Sequence, residues 1–479
     1  MLSEFIRQTR TLTWPFWAAN IMEMVERLAY YGVRVVIPIY IAQADEPGGL
    51  HLCQEEKGFI FMWWALVQSG LPVFTGGFAD RYGYKRQIAI AIALKAAGYV
   101  IMATQREFWP FFAGCMVLAA GTAVFKPPIQ GTFVKTLSER TSGVGWGYFY
   151  MVVNVGGFLG PPLAHFLYGY SWPAVFYGCA VLVCLNLLWL ATYREVDSGA
   201  DRSAGVAAVI ASTARNILNA RLVVFILIMS AFWASYTQIF DMLPNYIVDW
   251  VDSATLAAHL PSFMLARAGA GSPQVAQEWI INLNPLLIII FVAPLSWYAN
   301  RRMHRLRSIF LGIMVSAAGI YIVGQGMPVW LCLAGIACFS VGEMLTSPKM
   351  NEYLGVIAPD DRKALYMGYA NIPFAIGWGY GAFIGGGLYA RFGEKAGLAL
   401  RYLGEELGMR DLPARTDACA ALMRETGLGP REVTALLWER YDPGQVWLPF
   451  AVAALVAGIA MLAFGFVVRR SEGGAGIRE

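Results

Sequence analysis

Residues 23–34 read Glu23-Met24-Val25-Glu26-Arg27-Leu28-Ala29-Tyr30-Tyr31-Gly32-Val33-Arg34. They lie inside an apolar run from about residue 14 to residue 41, which is long enough to cross a bilayer as one helix. In a helix, one face of this stretch would carry Glu23, Arg27, Tyr30 and Arg34, with Glu26 beside Arg27. Each ionised side chain near the centre of a membrane helix costs about 2.5–3.5 kcal/mol. A helix with two carboxylates and two guanidinium groups therefore requires an aqueous cavity and opposite charges, which is typical of a pathway for ions or polar solutes.

The composition indicates an integral membrane protein. The chain has 479 residues, of which 57% are hydrophobic and 14% charged, and its mean hydropathy is +0.51. A soluble protein has about 25% charged residues. No basic tract indicates nucleic-acid binding, and residues 1–13 lack the small-residue cleavage site of a signal peptide. Five of the seven cysteines lie in apolar runs as small packing residues, whereas Cys53 and Cys419 lie outside them on one predicted side, where a disulfide is a second interpretation.

Hydrophobic runs separated by turn and charge signals predict twelve transmembrane helices. Their approximate ranges are 14–42, 55–79, 85–105, 108–136, 144–169, 173–193, 221–248, 275–299, 307–326, 328–356, 363–390 and 445–468. Arginine and lysine are concentrated in every second short loop, for example at 81–86 and 301–307. The positive-inside rule therefore places both termini in the cytoplasm, and we expect the inner (plasma) membrane of a bacterium.

A polar segment divides the chain into two similar halves. Residues 194–220 form the predicted cytoplasmic linker between six spans in 1–193 and six spans in 221–479. Phe78-Ala79-Asp80-Arg81 after the second span resembles Tyr298-Ala299-Asn300-Arg301 after the eighth, and Pro128 and Pro348 repeat at the same spacing. Two six-span halves repeated in parallel are the mark of the major facilitator architecture. The predicted fold class is thus an all-α polytopic membrane protein with two six-helix bundles.

The second half contains a long outer loop at 392–443, between the last two spans. Three short helices are predicted in it, at Lys395–Leu407, Asp417–Glu425 and Pro430–Tyr441, the last beginning with proline in its first turn. One interpretation is a solvated cap over the outer mouth. A role in binding a partner or capturing substrate is the sharper alternative.

The turn between the second and third spans carries a loop motif, Gly76-Gly77-Phe78-Ala79-Asp80-Arg81-Tyr82-Gly83-Tyr84-Lys85-Arg86. Glycines allow close approach of helices, Asp80 can cap or pair, and the basic residues anchor the loop to the cytoplasmic surface. This motif resembles the loop signature of the major facilitator superfamily. The resemblance implies a gating role for Gly77, Asp80 and Arg81 rather than a role in binding substrate.

The charges of the first span form a compact set. Glu23 and Arg27 are spaced i, i+4 in the favoured order, and Glu26 is a second carboxylate near the same guanidinium. One guanidinium cannot fully compensate two carboxylates in a low-dielectric site, so one of the two is expected to bind a proton. That is the chemistry of a proton-coupled carrier. A static salt-bridge network between helices is the structural alternative.

Here the resemblance becomes specific. Glu-x-x-Glu-Arg followed by Tyr30-Tyr31-Gly32 resembles the first-helix signature of proton-dependent oligopeptide transporters, the peptide branch of the major facilitator superfamily. Matches in further spans are Phe125-Lys126-Pro127, Phe149 to Gly156, Phe232-Trp233 with Gln238, Asn284-Pro285, and Gly342-Glu343-Met344 with Ser347-Pro348. The loop 392–443 lies outside this resemblance, and the linker is too short for the two extra helices common in bacterial members.

The resemblance implies roles for individual residues. Lys126 would bind the substrate carboxylate, Glu343 would bind its α-amino group, and the two would form a bridge when the site is empty. The predicted substrate-binding residues are Arg27, Tyr30, Arg34, Lys126, Asn154, Trp233, Asn284 and Glu343. The predicted proton-coupling residues are Glu23, Glu26, Arg27, Lys126 and Asp241. For Trp378, a second aromatic candidate, ordinary helix packing is the stronger interpretation.

One departure from the family concerns the seventh span. The family has a glutamate just before the glutamine, and this chain has Thr237-Gln238. That glutamate is the expected partner of the second arginine of the first span, here Arg34. Asp241, one turn farther along, is one replacement. Otherwise Arg34 is available to an anionic ligand, or coupling is altered.

The predicted function is a proton-coupled symporter that imports di- and tripeptides or similar zwitterions by alternating access. The alternative is a related carrier of a non-peptide substrate, such as an anionic metabolite, modified peptide or drug, with altered coupling because of Thr237. A non-transporting receptor on the same fold is a third interpretation, and no sequence motif indicates an enzyme, a metal site or ATP-driven transport. We expect no cofactor besides the coupling proton, a monomeric transport unit in the lipid bilayer, and no nucleic-acid partner.

Overall fold

The computed structural model describes residues 2–72, 83–138, 141–196, 220–266, 272–357 and 369–475. In the first half of the chain the helices are α1 (Leu2–Arg10), α2 (Trp14–Ala42), α3 (Gln54–Gly70), α4 (Tyr84–Thr104), α5 (Phe108–Lys135), α6 (Ser142–Tyr168) and α7 (Trp172–Ala191). The described residues of this half are otherwise short connections.

The second half begins with helices interrupted at three single residues, Thr237, Met242 and Asn282. Its helices are α8 (Ala220–Tyr236), α9 (Gln238–Asp241), α10 (Leu243–Trp250), α11 (Ala254–Ala257), α12 (Gln277–Ile281), α13 (Leu283–Arg302), α14 (Arg305–Val323), α15 (Val329–Ile357), α16 (Asn371–Phe392), α17 (Lys395–Glu405), α18 (Ala418–Thr426), α19 (Pro430–Tyr441) and α20 (Leu448–Ala475). The three short helices predicted in the outer loop are confirmed: Pro430–Tyr441 has the predicted bounds, and the ends of the other two differ by at most two residues.

Within the described residues the long helices agree with the predicted spans and confirm the all-α membrane fold class, whereas residues 73–79 of the second span and 363–368 of the eleventh lie outside the described residues. Eight of them, counted in the described part of the chain, are long and apolar enough to cross a membrane. Many large apolar side chains on these helices point outward, including Val181, Leu188, Phe466 and Val467, which are 60–68% exposed. An exposed apolar surface of this extent requires lipid rather than water around it.

The chain divides into two compact units. Unit 1 comprises Met1–Val36, Trp63–Val223 and Arg362–Ala375, and unit 2 comprises Ile37–Met62, Val224–Asp361 and Ile376–Glu479. Most of the predicted linker, residues 197–219, lies outside the described residues. The predicted division at 194–220 into two six-helix bundles stays a prediction.

Unit 1 has its apolar core where α2, α4, α5 and α6 meet. Phe16, Ile88, Phe125, Ile129 and Phe133 are almost completely buried there. Helix α6 approaches α2 at two glycines one turn apart. A Cβ atom at Gly156 would lie 2.5 Å from the Met24 carbonyl oxygen, and one at Gly160 would lie 2.7 Å from the Gly32 nitrogen. These glycines therefore let α6 lie directly against the charged stretch of α2.

Unit 2 contains a buried polar network at the end of α2. Gln43 donates from Nε2 to Asp249 Oδ1 at 2.9 Å, and the Tyr389 hydroxyl donates to Asp249 Oδ2 at 2.6 Å. Lys57 donates to Asn245 Oδ1 at 2.7 Å. These side chains are at most 6% exposed, and such groups are stable inside a protein only because they satisfy each other.

The outer segment 392–443 is anchored to the connection between α2 and α3 by one arginine. Arg415 Nη2 donates to the backbone carbonyls of His51 at 2.8 Å and Leu52 at 2.7 Å. Its Nη1 contacts Glu394, the residue just before α17. Burial raises the pKa of the Glu394 carboxyl, and the nearby Arg415 guanidinium lowers it in part. The segment is therefore a bound cap within unit 2 rather than a loosely solvated one.

We expect Arg415→Ala to destabilise the cap. The substitution leaves a largely buried carboxylate at Glu394 without this cation, and hydrogen bonds to charged groups contribute about 1.5–3 kcal/mol each. The thermal unfolding midpoint of the purified protein should fall by several degrees. Arg424→Ala is the matched control, because Arg424 is exposed in the same segment and has no hydrogen bond or ion pair in the described part of the chain. Equal midpoints for the two variants would contradict this account.

Two native thiols report on the same segment. Cys53 and Cys419 are free, so the disulfide considered above is not formed. Burial raises the pKa of the Cys53 thiol to about 12 and that of the Cys419 thiol to about 11. Because the thiolate is the reactive form, both should react slowly with maleimide at neutral pH. Loosening of the cap exposes the thiols and lowers these pKa values. Arg415→Ala should therefore speed the labelling of Cys53 and Cys419, as measured by mass spectrometry, and Arg424→Ala should not.

Candidate functional site

The charged stretch of α2 forms an ion-pair cluster inside unit 1. Arg27 Nε lies 3.1 Å from Glu23 Oε1, and Arg27 Nη2 lies 2.5 Å from Glu26 Oε2. The side chains of Glu23, Glu26 and Arg27 are only 5%, 0% and 13% exposed. Two carboxylates of α2 thus contact one guanidinium, as the helical spacing predicted.

A second cation, which sequence reasoning missed, completes this cluster. Lys95 on α4 contacts Glu26 Oε1 and donates to the Thr122 hydroxyl on α5 at 2.9 Å. The Lys95 side chain is completely buried. A lone lysine in the apolar run of the third span was the available signal, because an ionisable residue inside a membrane helix indicates function by default.

Lys126 lies on α5 in unit 1, just before the consecutive prolines Pro127 and Pro128. Its ammonium group donates to Asn371 Oδ1 at 3.4 Å, a long hydrogen bond. No carboxylate lies within 4 Å of the Lys126 ammonium in the described part of the chain. The cation is therefore available for an anionic partner.

A carboxylate with neutral partners lies in unit 2. Glu343 on α15 accepts hydrogen bonds from the Tyr236 hydroxyl at 2.8 Å and from Asn284 Nδ2 at 2.9 Å. Asn284 also donates to the Ser340 hydroxyl at 3.0 Å. Among the described residues, no arginine, lysine or histidine lies within 4 Å of Glu343. Two neutral donors thus orient a carboxylate that has no cation of its own.

The predicted aromatic residue Trp233 lies beside this group, in unit 2. It is 3% exposed and its indole donates to the sulfur of Met350 at 3.5 Å. Its ring packs at 4.5 Å from that of Tyr236 and at 6.1 Å from that of Trp378. Both tryptophans therefore support the position of Tyr236, and a direct contact of Trp233 with substrate stays a prediction.

The remaining predicted site residues have local partners. The Tyr30 hydroxyl accepts from Gln68 at 3.1 Å, and the Arg27 guanidinium lies 5.1 Å from the Tyr30 ring centre. Asn154 donates to the Tyr150 carbonyl of its own helix at 2.8 Å. Asp241 accepts from the Thr237 hydroxyl at 2.9 Å. Arg34 lies two turns beyond Arg27 on α2, half-buried.

Other predictions are not tested by these contacts. The pairs Lys126 with Glu343 and Arg34 with Asp241 would join residues of different units, so both stay predictions. The gating residues Gly77, Asp80 and Arg81 lie outside the described residues.

A family model matches more than half of the chain. The model described as Major Facilitator Superfamily matches residues 20–381. The chain belongs to the major facilitator superfamily. The matched range includes the ion-pair cluster of α2, Lys126 and Glu343. The polar groups described above therefore lie in the part of the chain that matches this superfamily of membrane transporters. Membership confirms the expectation that this protein is a transporter and not an enzyme.

Individual members of the superfamily are similar at low identity. Multidrug resistance protein MdtH of Edwardsiella ictaluri (strain 93-146) is 24% identical over 328 residues, which cover 68% of this chain and 75% of that protein. The crystal structure of a POT family transporter in complex with 5-aminolevulinic acid has a TM-score of 0.67 at 14% identity, covering 94% of this chain and 95% of that one. The crystal structure of the peptide transporter POT in complex with sulfate also has a TM-score of 0.67, at 20% identity and 95% coverage of both chains. These likenesses confirm the fold of this major facilitator protein.

Proposed function

We propose that this protein is a proton-coupled symporter that imports di- and tripeptides or similar zwitterions by alternating access. The observation that carries the proposal is a pair of charged groups without ionic partners in the described residues. One is the Lys126 ammonium and the other is the Glu343 carboxylate. A zwitterion supplies an anion for the first and a cation for the second. Burying either charge unpaired costs several kcal/mol, so a ligand that neutralises both is favoured.

The ion-pair cluster on α2 supports the proton-coupling part of the proposal. Glu23 and Glu26 share the Arg27 guanidinium, and no other transport-driving chemistry is indicated by the sequence. The proton is the only coupling ion that the proposal requires. The similarity of α2 to the first-helix signature of proton-dependent oligopeptide transporters supports the same assignment.

The setting of the proposed symporter is a bacterial inner membrane. The basic loops at 81–86 and 301–307 support a cytoplasmic location of both termini. We take the monomer as the transport unit, because each chain carries both charged groups.

A second candidate function is the export or uptake of a drug-like solute. It is favoured by the MdtH relative, whose name describes multidrug resistance, and by Thr237, which replaces the glutamate expected for a peptide carrier. Asp241 accepts a hydrogen bond from Thr237, so the carboxylate at this position lies one turn later than in the family pattern.

Uptake by proteoliposomes tests the proposal. The purified protein is reconstituted and an inward proton gradient is imposed, with labelled dialanine as the probe and with dipeptides, tripeptides and a lipophilic cationic dye as competitors. We expect the gradient to drive accumulation of dialanine, a protonophore to abolish it, and peptides to compete. Gradient-driven movement of the dye with no movement of dialanine would overturn the peptide assignment in favour of the second candidate.

A further inference from the structure

Lys95 is a completely buried cation that the proposed mechanism does not yet use. Its stem packs against Gly121 of α5, where a Cβ atom would lie 2.7 Å from Lys95 Cγ and 2.9 Å from the backbone nitrogen of Lys95. A side chain at Gly121 would therefore displace the lysine. This close approach of α4 and α5 directs the ammonium group onto Glu26 and the Thr122 hydroxyl.

The two carboxylates of the cluster are unequally satisfied. Glu26 has a cation beside each of its oxygens: Lys95 donates to Oε1, and Arg27 Nη2 lies 2.5 Å from Oε2, although Oε2 accepts no well-aligned hydrogen bond among the described residues. Glu23 has one oxygen, Oε1, 3.1 Å from Arg27 Nε. Its other oxygen, Oε2, is buried and, among the described residues, has neither a hydrogen-bond partner nor an ion pair of its own. A buried oxygen without a partner is costly when it carries charge and is relieved by a proton.

We propose that Lys95 is a positioning residue that holds Glu26 as a permanent anion and leaves Glu23 as the carboxylate that gains and loses the coupling proton. The inference rests on the proposed function and assigns its proton site. With Lys95 present, the charges of Lys95 and Arg27 balance those of Glu23 and Glu26. Both cations contact Glu26, whereas only Arg27 contacts Glu23. Protonation of Glu23 frees part of the Arg27 guanidinium without disturbing the pair between Glu26 and Lys95.

Other titratable groups face the same cluster but do not replace this assignment. They are Tyr30 on α2, Tyr99 on α4, Lys126 on α5 and Cys179 on α7. The two tyrosines and the cysteine are neutral when protonated, so they leave the balance of charge unchanged. Lys126 is a further cation whose charge stabilises the Glu23 anion. A ligand carboxylate bound to Lys126 would weaken that stabilisation and so favour protonation of Glu23. Substrate binding and proton binding are thereby linked.

Three variants test the inference in proteoliposomes, with labelled dialanine uptake and internal pyranine fluorescence measured together. Glu23→Gln should lower gradient-driven uptake at least roughly tenfold and abolish proton entry, while counterflow exchange of dialanine remains measurable. Lys95→Met leaves one guanidinium for two carboxylates, so a proton should move to Glu26 and the pH profile of uptake should shift. The double variant Lys95→Met/Glu26→Gln removes both charges and should recover proton-coupled uptake through Glu23, because replacing both members of a buried pair is far less disruptive than removing one.

The outcomes separate this inference from the proposed function. A proton-coupled wild type whose Lys95→Met variant keeps the original pH profile would overturn the role of Lys95. A double variant no better than Lys95→Met would do the same, as would proton-coupled uptake by Glu23→Gln. A wild type that moves dialanine without protons would overturn the proposed coupling and this inference with it. If Lys95→Met fails to fold, as judged by size-exclusion chromatography, the charge-balanced double variant and Glu23→Gln still decide the question.

Discussion

Lys126→Ala is expected to abolish gradient-driven uptake of dialanine. Among the described residues, the Lys126 ammonium has only a long hydrogen bond to Asn371, so we expect the group to bind the carboxylate of a ligand. Truncating one partner of a buried charge pair costs about 2–5 kcal/mol, which corresponds to at least roughly a thirtyfold fall in affinity. Initial uptake rates over a range of dialanine concentrations measure the effect.

The control for this variant lies on the same helix. Lys135 is exposed at the end of α5 and has no hydrogen bond or ion pair in the described residues, so Lys135→Ala should transport at the wild-type rate. Lys126→Arg keeps the charge but changes its shape and should recover part of the uptake. Transport by Lys126→Ala at the rate of Lys135→Ala would show that the ligand carboxylate binds elsewhere.

Much of the fold could be predicted from hydrophobic run length alone. The limits of α2, Trp14–Ala42, are those expected from the apolar run, because a bilayer allows only segments that satisfy their own backbone. The helix Pro430–Tyr441 could be located because proline is favoured in a first turn and glycine before it. The interruptions at Thr237, Met242 and Asn282 were not predicted, because the sequence on both sides of them is apolar.

The candidate site was predictable only where partners share a helix. The pair of Glu23 and Arg27 follows from helical spacing. The contact of Glu26 with Lys95 depends on how closely α4 approaches α5 at Gly121, which no spacing along the chain encodes. The anchoring of the cap by Arg415 is similar, because its acceptors at His51 and Leu52 are backbone carbonyls with no sequence signature.

Glu343→Gln is expected to remove the preference for ligands with a free amino group. The Glu343 carboxylate is held by Tyr236 and Asn284, both neutral donors, and no described cation pairs with it, so a ligand ammonium group would supply an ionic partner. The glutamine keeps the shape of the side chain but has no charge. Competition against labelled dialanine by unlabelled dialanine and by N-acetyl-dialanine measures the preference. The wild type should favour the free amine by roughly tenfold or more, as expected for a loss of about 1.4 kcal/mol or more, and the variant should favour neither.

Removing one of the hydrogen bonds that orient Glu343 should have a smaller effect than removing its charge. Tyr236→Phe leaves the Glu343 charge in place but removes the 2.8 Å hydrogen bond to Oε1. A typical hydrogen bond to a charged group contributes about 1.5–3 kcal/mol, yet the ligand ammonium can still bind the remaining carboxylate. Tyr236→Phe should therefore weaken the binding of dialanine while keeping the preference for a free amine, whereas Glu439→Gln, at an exposed glutamate on α19, should change neither. A Glu343→Gln variant that still prefers the free amine would place the amino-binding group outside this cluster, because Tyr236 and Asn284 carry no charge that could replace it.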